Sequence, residues 1–416
     1  MMKIFPQQGI ADTHWLSWTD SLAYLPLTGP VQAINEDLQL NRLSYFSLYQ
    51  KYLFELKGAT LSNDYAEANK VLGYIGNIQR QLTPKDLLPS KSKVNVEIYY
   101  NEADIFIKLK NIYGILSFVL IILAFVDNLS AKRSKLVLYP MYALISVLAL
   151  AFIYHTFGMG LRWYLTGHAP WSNGYEALIL VSWAGLLSGF SFIRSSKLSL
   201  AATALFAFCT LKTSSHSSYD PQLTNLQPVL KSYWLIFHVA TITISYGFLG
   251  LAFMLGGINM LLNLFQTKKN TKRVKLIIEE LSSINELNMI IGVILATAGT
   301  FLGGIWANES WGRYWGWDAK ETWSLIIIMT YTIILHTRFI PGLKKSFVIN
   351  AGAILGFGTV LMTFIGVNYY FTKGMHSYAS GDAVIFPLWA WIFILSVILI
   401  MVFAWLQDRK YSKLEE

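Results

Sequence analysis

Hydrophobic and polar positions divide the chain near residue 108. Before it, Leu43–Lys57 is rich in aromatic and apolar residues, Asp64–Leu82 is amphipathic, and Val94–Tyr100 alternates. The first two patterns predict helices, and the third predicts a short strand or extended segment. After residue 108, apolar runs long enough to cross a hydrocarbon layer of ~30 Å recur to the end. Nine are predicted: 111–127, 136–158, 174–193, 198–212, 233–265, 286–305, 322–338, 346–371 and 386–406. The pattern implies an all-α polytopic membrane protein of nine transmembrane helices. Residues 1–108 form a mainly helical region outside the bilayer, and 109–416 form the membrane domain.

Composition agrees, with 54% hydrophobic and only 14% charged residues. The net charge of +9 could suggest nucleic acid, but the basic residues sit in short clusters between apolar runs. Lys132, Arg133 and Lys135, then Lys268, Lys269, Lys272, Arg273 and Lys275, then Arg409, Lys410 and Lys413 all fall on one side. The opposite loops hold scattered cations, among them Arg162, Lys212, Arg313 and Lys320. Such asymmetry is the positive-inside pattern; it needs lipid and no nucleic acid. It places the C-terminus in the cytoplasm, with residues 1–108 and the loop between spans six and seven on the outer side. The N-terminus lacks a continuous apolar signal. The expectation is that a preceding segment of a larger assembly handles export, rather than the first span acting as a reverse anchor. Cys209, the single cysteine, lies in an apolar run, so no disulfide, CxxC pair or CxxCH site can form within the chain.

The loop between spans six and seven, 306–323, carries the sharpest chemistry. Trp306, Trp311, Trp315, Trp317 and Trp323 lie within it, interleaved with Gly312 and Gly316. An aromatic belt at the membrane boundary is one reading. A platform for a flat, mostly apolar ligand with polar edges, such as haem, is the other. Asp318 and Glu321 fit a capping box at the start of span seven. Lys320 is either solvated or a partner for a propionate. Histidine is the usual axial ligand of haem iron. His238, near the outer end of span five, and His376, in the loop after span eight, both fall at the level of the tryptophans. His155 and His168 compete with them for that role. His336 lies 13 residues after Trp323, about 20 Å along a helix, and cannot share a haem with the outer pair. An ionisable group in a span is a functional candidate, although an interfacial histidine is an equal reading.

Trp311 to Trp323 reads Trp-Gly-x-x-Trp-x-Trp-Asp-x-Lys-Glu-x-Trp without a gap. It resembles the WWD signature of haem-handling proteins in cytochrome c maturation. Gly167–Glu176 and the His238–Tyr246 stretch resemble the CcsA (ResC) branch of the system II cytochrome c synthase, which residues 140–406 fit. Glu97–Asn101 and the helix ending at Gln81 resemble the external segment that precedes CcsA in fused synthases. The resemblance implies that His238 and His376 ligate an external haem b and that the WWD tryptophans lie against the porphyrin. It also implies that His336 belongs to an internal haem site. Haem would cross the membrane and receive the CxxCH thiols of apocytochrome c on its vinyl groups. The family's second internal histidine comes from a CcsB (ResB) component absent from this chain. A separate CcsB/ResB-like subunit is therefore expected, with a thiol-reducing periplasmic protein as a further partner. The alternatives are a haem-delivery protein of the CcmC or CcmF type, a bis-His membrane electron carrier, and a non-haem transporter with an aromatic belt.

Overall fold

In a computed structural model of the full chain, the described residues are 3–6, 15–17, 20, 44–83, 88–130, 134–216, 219–223, 232–343, 345–370 and 387–412. They fall into two compact units, Met1–Glu97 and Ile98–Glu416.

In the first unit, β1 (Lys3–Pro6) pairs antiparallel with β2 (Trp15–Ser17). Helices α1 (Tyr45–Ser62) and α2 (Ala66–Leu82) follow, close to the two helices expected from periodicity. Ser44 caps α1 by accepting from the Ser47 amide at 3.2 Å. Asn63 ends it in the left-handed region, where a short polar side chain is tolerated. Tyr45, Leu48, Val71, Tyr74, Ile75 and Ile78 form the apolar core, joined by Leu16 of β2. Burial and the neighbouring Tyr74 push the Tyr45 phenol up to about 12.

Residues 94–100 depart from the extended segment expected. They lie in α3 (Lys91–Ala103), which Ser90 opens by accepting from the Lys93 amide at 3.2 Å. Among the described residues the only strand pairing is β1 with β2, and this segment takes no part in it. A side-chain cap and continuation toward a spanning helix outweigh a short alternation that helical winding also tolerates.

The second unit continues through α4 (Ile105–Leu129), α5 (Lys135–Thr166), α6 (Gly174–Ser191), α7 (Lys197–Ser214), α8 (Tyr233–Leu264), α9 (Thr271–Trp311) and α10 (Ala319–His336). Next, α11 (Ser346–Leu361) runs through a π-helical turn, Met362–Gly366, into α12 (Val367–Tyr370), and α13 (Leu388–Ser412) closes the described chain. Among the described residues, six stretches are long and apolar enough to cross a membrane: Lys91–Leu129, α5, α8, α9, Ser346–Gly366 and Leu388–Tyr411. The chain is a multi-pass, all-α membrane protein. The other three expected spans correspond to α6, α7 and α10, each 18 residues long. Ser182 and Ser188 in α6 and Ser199, Thr203 and Thr210 in α7 are buried. Small polar residues let helices pack closely in a membrane bundle, which makes these two less apolar than lipid-facing spans.

One apolar cluster gathers Leu109, Tyr113, Leu148, Ile179 and Leu200 from α4–α7, together with Leu251 and Leu255 of α8. A second joins Leu249 and Ala252 of α8 to Met289 and Ala296 of α9, Tyr331 of α10 and Phe357 of α11. Helix α8 therefore sits between the clusters, and its first turns carry His238.

Candidate functional site

The start of α8 is tied to the end of α9, where the Ser232 hydroxyl donates to Glu309 Oε2 at 2.9 Å. One and a half turns on, His238 Nδ1 lies 2.7 Å from the Gly299 carbonyl of α9. A carbonyl can only accept, so Nδ1 carries the proton and Nε2 of the neutral ring carries the lone pair. Hydrogen bonds of this kind orient metal-binding imidazoles and select their tautomer. A Cβ at position 303 would come within 2.6 Å of the ring, so Gly303 is what lets the imidazole lie on α9. Gly299, Gly303 and Trp306 share one helical face. Trp306 is buried, with its ring edge-on to Trp311 at 4.7 Å.

Helix α9 stops at Gly312, whose φ of +72° closes it in the left-handed conformation. Helix α10 opens with the expected capping box: Asp318 Oδ1 accepts from the Glu321 amide at 2.9 Å. Glu321 does more than the motif requires. Its Oε2 accepts from the amides of Gly316 at 2.6 Å and Asp318 at 3.3 Å. Those amides bracket Trp317, which has φ +58° and a side chain 70% exposed. A bulky residue is rarely left-handed, and one carboxylate oxygen grips the backbone on both sides of it. Trp315 meets Trp317 edge-on at 5.7 Å, and Trp323 is half-buried in the first turn of α10. The result is a braced turn that presents an indole outward, after a helix end where the buried Trp306 meets the half-buried Trp311.

A second loop supports α8. The Trp171 indole donates to the Ile236 carbonyl at 3.0 Å, two residues before His238. The loop is held by Arg162 and Glu176, a buried ion pair at 2.8 Å. Arg162 also donates to the Tyr100 hydroxyl at 2.9 Å and to the carbonyls of Pro221 at 2.9 Å and Gln222 at 3.2 Å. Tyr100 and Tyr175 flank its guanidinium. Arg162 is thus a buried scaffold residue, in contrast to the loop charge that orientation counting makes of it. Its place just past an apolar run, with Glu176 14 residues later, is the sequence signal for that role.

Of the competing histidines, His155 is fully buried, with Nδ1 3.3 Å from the Tyr113 hydroxyl and its ring against Phe106. His168 Nδ1 lies 3.1 Å from the Ser172 hydroxyl and 3.2 Å from the Ala169 carbonyl. Both serve packing and loop shape. His336 lies at the far end of α10, exposed, with Nδ1 2.7 Å from the Thr332 carbonyl and Phe339 beside the ring. The same reasoning puts its lone pair on Nε2. Two residues on, Arg338 pairs with Glu286 of α9. His376 lies outside the described residues. The structure thus gathers His238, Trp306, Trp311, Trp315, Trp317, Asp318 and Trp323 at one end of α8–α10 and leaves His336 at the other.

The family model described as Cytochrome C assembly protein matches residues 171–376, from the indole that anchors α8 to the last expected ligand. The chain is 42% identical to protein NrfI of Wolinella succinogenes over 301 residues, covering 71% of the chain and 32% of that protein. It is 34% identical to the cytochrome c biogenesis protein CcsA of Chlamydomonas reinhardtii, across 52% of the chain and 63% of that protein. A CcsA of Prochlorococcus marinus is 33% identical across 56% of the chain and 82% of its own length. The chain therefore spans about a third of NrfI and under two thirds of the Chlamydomonas protein.

Proposed function

The chain belongs to the CcsA-type cytochrome c assembly family, and we propose that it holds haem b at the tryptophan-rich end of α8–α10 for transfer to apocytochrome c. Haem is the substrate, and His238 and His376 are its axial ligands on the periplasmic side of the bacterial inner membrane. The observation that carries this reading is the hydrogen bond from His238 to the Gly299 carbonyl, at the end of α8–α10 that also holds the Trp317 turn clamped by Glu321. It fixes the tautomer of an imidazole at the helix ends that present an exposed indole, and an iron porphyrin needs both an imidazole and an aromatic surface.

Haem reaches this end from an internal station at His336, whose second ligand comes from a CcsB/ResB-like subunit. On the outer side, each CxxCH thiol of the apocytochrome adds S–H across one vinyl group of haem, with no net oxidation. The substrate histidine then takes over an iron position from the chain. A thiol-reducing periplasmic protein keeps the cysteines competent. Asp318 and Glu321 hold the turn, and the tryptophans shield the porphyrin face.

The direct test is the absorption spectrum of the detergent-purified full chain, with and without the CcsB-like subunit. A Soret band is expected, along with association of the loaded protein with a CxxCH-bearing peptide. No Soret band in either preparation would reduce the aromatic loop to an interfacial belt.

A further inference from the structure

Away from that site, the densest polarity lies among the lysine- and arginine-rich ends of α8, α9 and α11. Asn259 of α8, Ser282, Asn285 and Asn288 of α9, and Asn350 of α11 are all buried. Asn350 Oδ1 accepts from the side-chain amides of Asn259 and Asn285, each at 2.8 Å. Asn350 Nδ2 donates to the Ser282 hydroxyl at 2.6 Å and to the Ser346 carbonyl at 2.8 Å. Asn288 Nδ2 donates to the Ile284 carbonyl of its own helix at 2.9 Å. The network fixes the amide orientations, because flipping Asn259 or Asn285 would set two oxygens against each other.

Every amide nitrogen is therefore engaged, while Asn259 Oδ1, Asn285 Oδ1 and Asn288 Oδ1 have no partner among the described residues. Buried acceptors left unpaired are costly. The amides of Asn259 and Asn285 converge on one atom of Asn350, and Asn288 lies one turn from Asn285 on α9. Three buried acceptor oxygens are thus left over among these side chains, and a guest that brings positive charge or protons would satisfy them. Ser282 also lines a recess of about 250 Å³, rimmed by Glu279, Glu286, Arg338 and Lys345, with Ser283, Ser346 and Ile349 between them. Through Ser282 and Ser346, both bonded to Asn350, the recess abuts the cluster.

We propose that these asparagines form an alkali-cation site loaded through the recess. Hard, neutral carbonyl oxygens suit sodium or potassium, and the lack of a carboxylate in the cluster disfavours a divalent ion. The occupied site would lock the ends of α8, α9 and α11 together. The test is thermal melting of the full chain in detergent, in sodium, potassium or N-methylglucamine chloride at equal ionic strength and pH. One alkali cation should raise the midpoint saturably, by roughly several degrees. Asn288→Leu leaves the bonds joining Asn259, Asn285 and Asn350 intact, and it should abolish the rise while still melting cooperatively. Asn288→Ala withdraws the same oxygen but leaves room for water to replace it, and it should raise the half-saturating concentration about tenfold or more. Identical melting of the wild type in all three salts would mean that water alone fills the cluster and would overturn the proposal. So would a cation effect that persists unchanged in both variants. No haem enters these measurements, so their outcome is independent of the haem reading.

Discussion

Nδ1 of His238 and the φ of Trp317 are single-residue features with opposite legibility. A histidine level with a tryptophan-rich loop can be read from spacing, and so can the Asp318–Glu321 cap. The left-handed Trp317 cannot, because no residue pattern announces that Glu321 will hold the amides of both Gly316 and Asp318. His238→Gly and His376→Gly should each weaken the Soret band, with partial recovery when imidazole enters the vacated position. Spectra unchanged in both variants would argue against these ligands. Trp317→Gly should behave differently. A glycine accepts positive φ without strain, so the melting midpoint should rise by the equivalent of about 1 kcal/mol. The haem retained per protein should nonetheless fall, because the exposed indole is gone. A variant that kept its full haem content would show that the turn's strain serves no ligand.

At the scale of elements, apolar runs translate into helices wherever they exceed the hydrocarbon thickness. The alternation at 94–100 misleads because seven residues fit a strand or a helix face equally well, and the Ser90 cap with continuation toward a spanning helix decides. Arg162 misleads for a related reason. A charge near a helix end looks solvated until its partner, Glu176 on the next helix, is located in space. The α1–α2 pair carries its own pH signature. Burial raises Tyr45 from its ordinary 10.0 to about 12, so folding favours the neutral phenol. Its contribution to stability is complete below pH 10 and is lost as pH climbs through about 12. Alkaline titration of phenolate absorbance in the full chain should show a late-ionising tyrosine that Tyr45→Phe removes. A profile the same in both proteins would contradict the buried placement.

Across the whole molecule, the two proposed haem stations, His238 and His336, lie at opposite ends of α8–α10, with His336 about 20 Å along α10 from Trp323. His336→Gly should therefore deplete haem at the outer end while leaving the external pocket able to take up added haem. Loss of both would show that His336 acts on folding rather than supply. Helix α9 touches both stations: the Gly299 carbonyl steers His238, and 13 residues earlier Glu286 holds Arg338, next to His336. A straight helix behaves as a seesaw, so a small tilt imposed at one end re-aims whatever rests on the other. Cutting the tether with Glu286→Gln should then shift the spectrum of haem bound at His238, although that substitution lies about 20 Å from the iron's expected place. A spectrum identical to the wild type would show that the two ends work without mechanical communication.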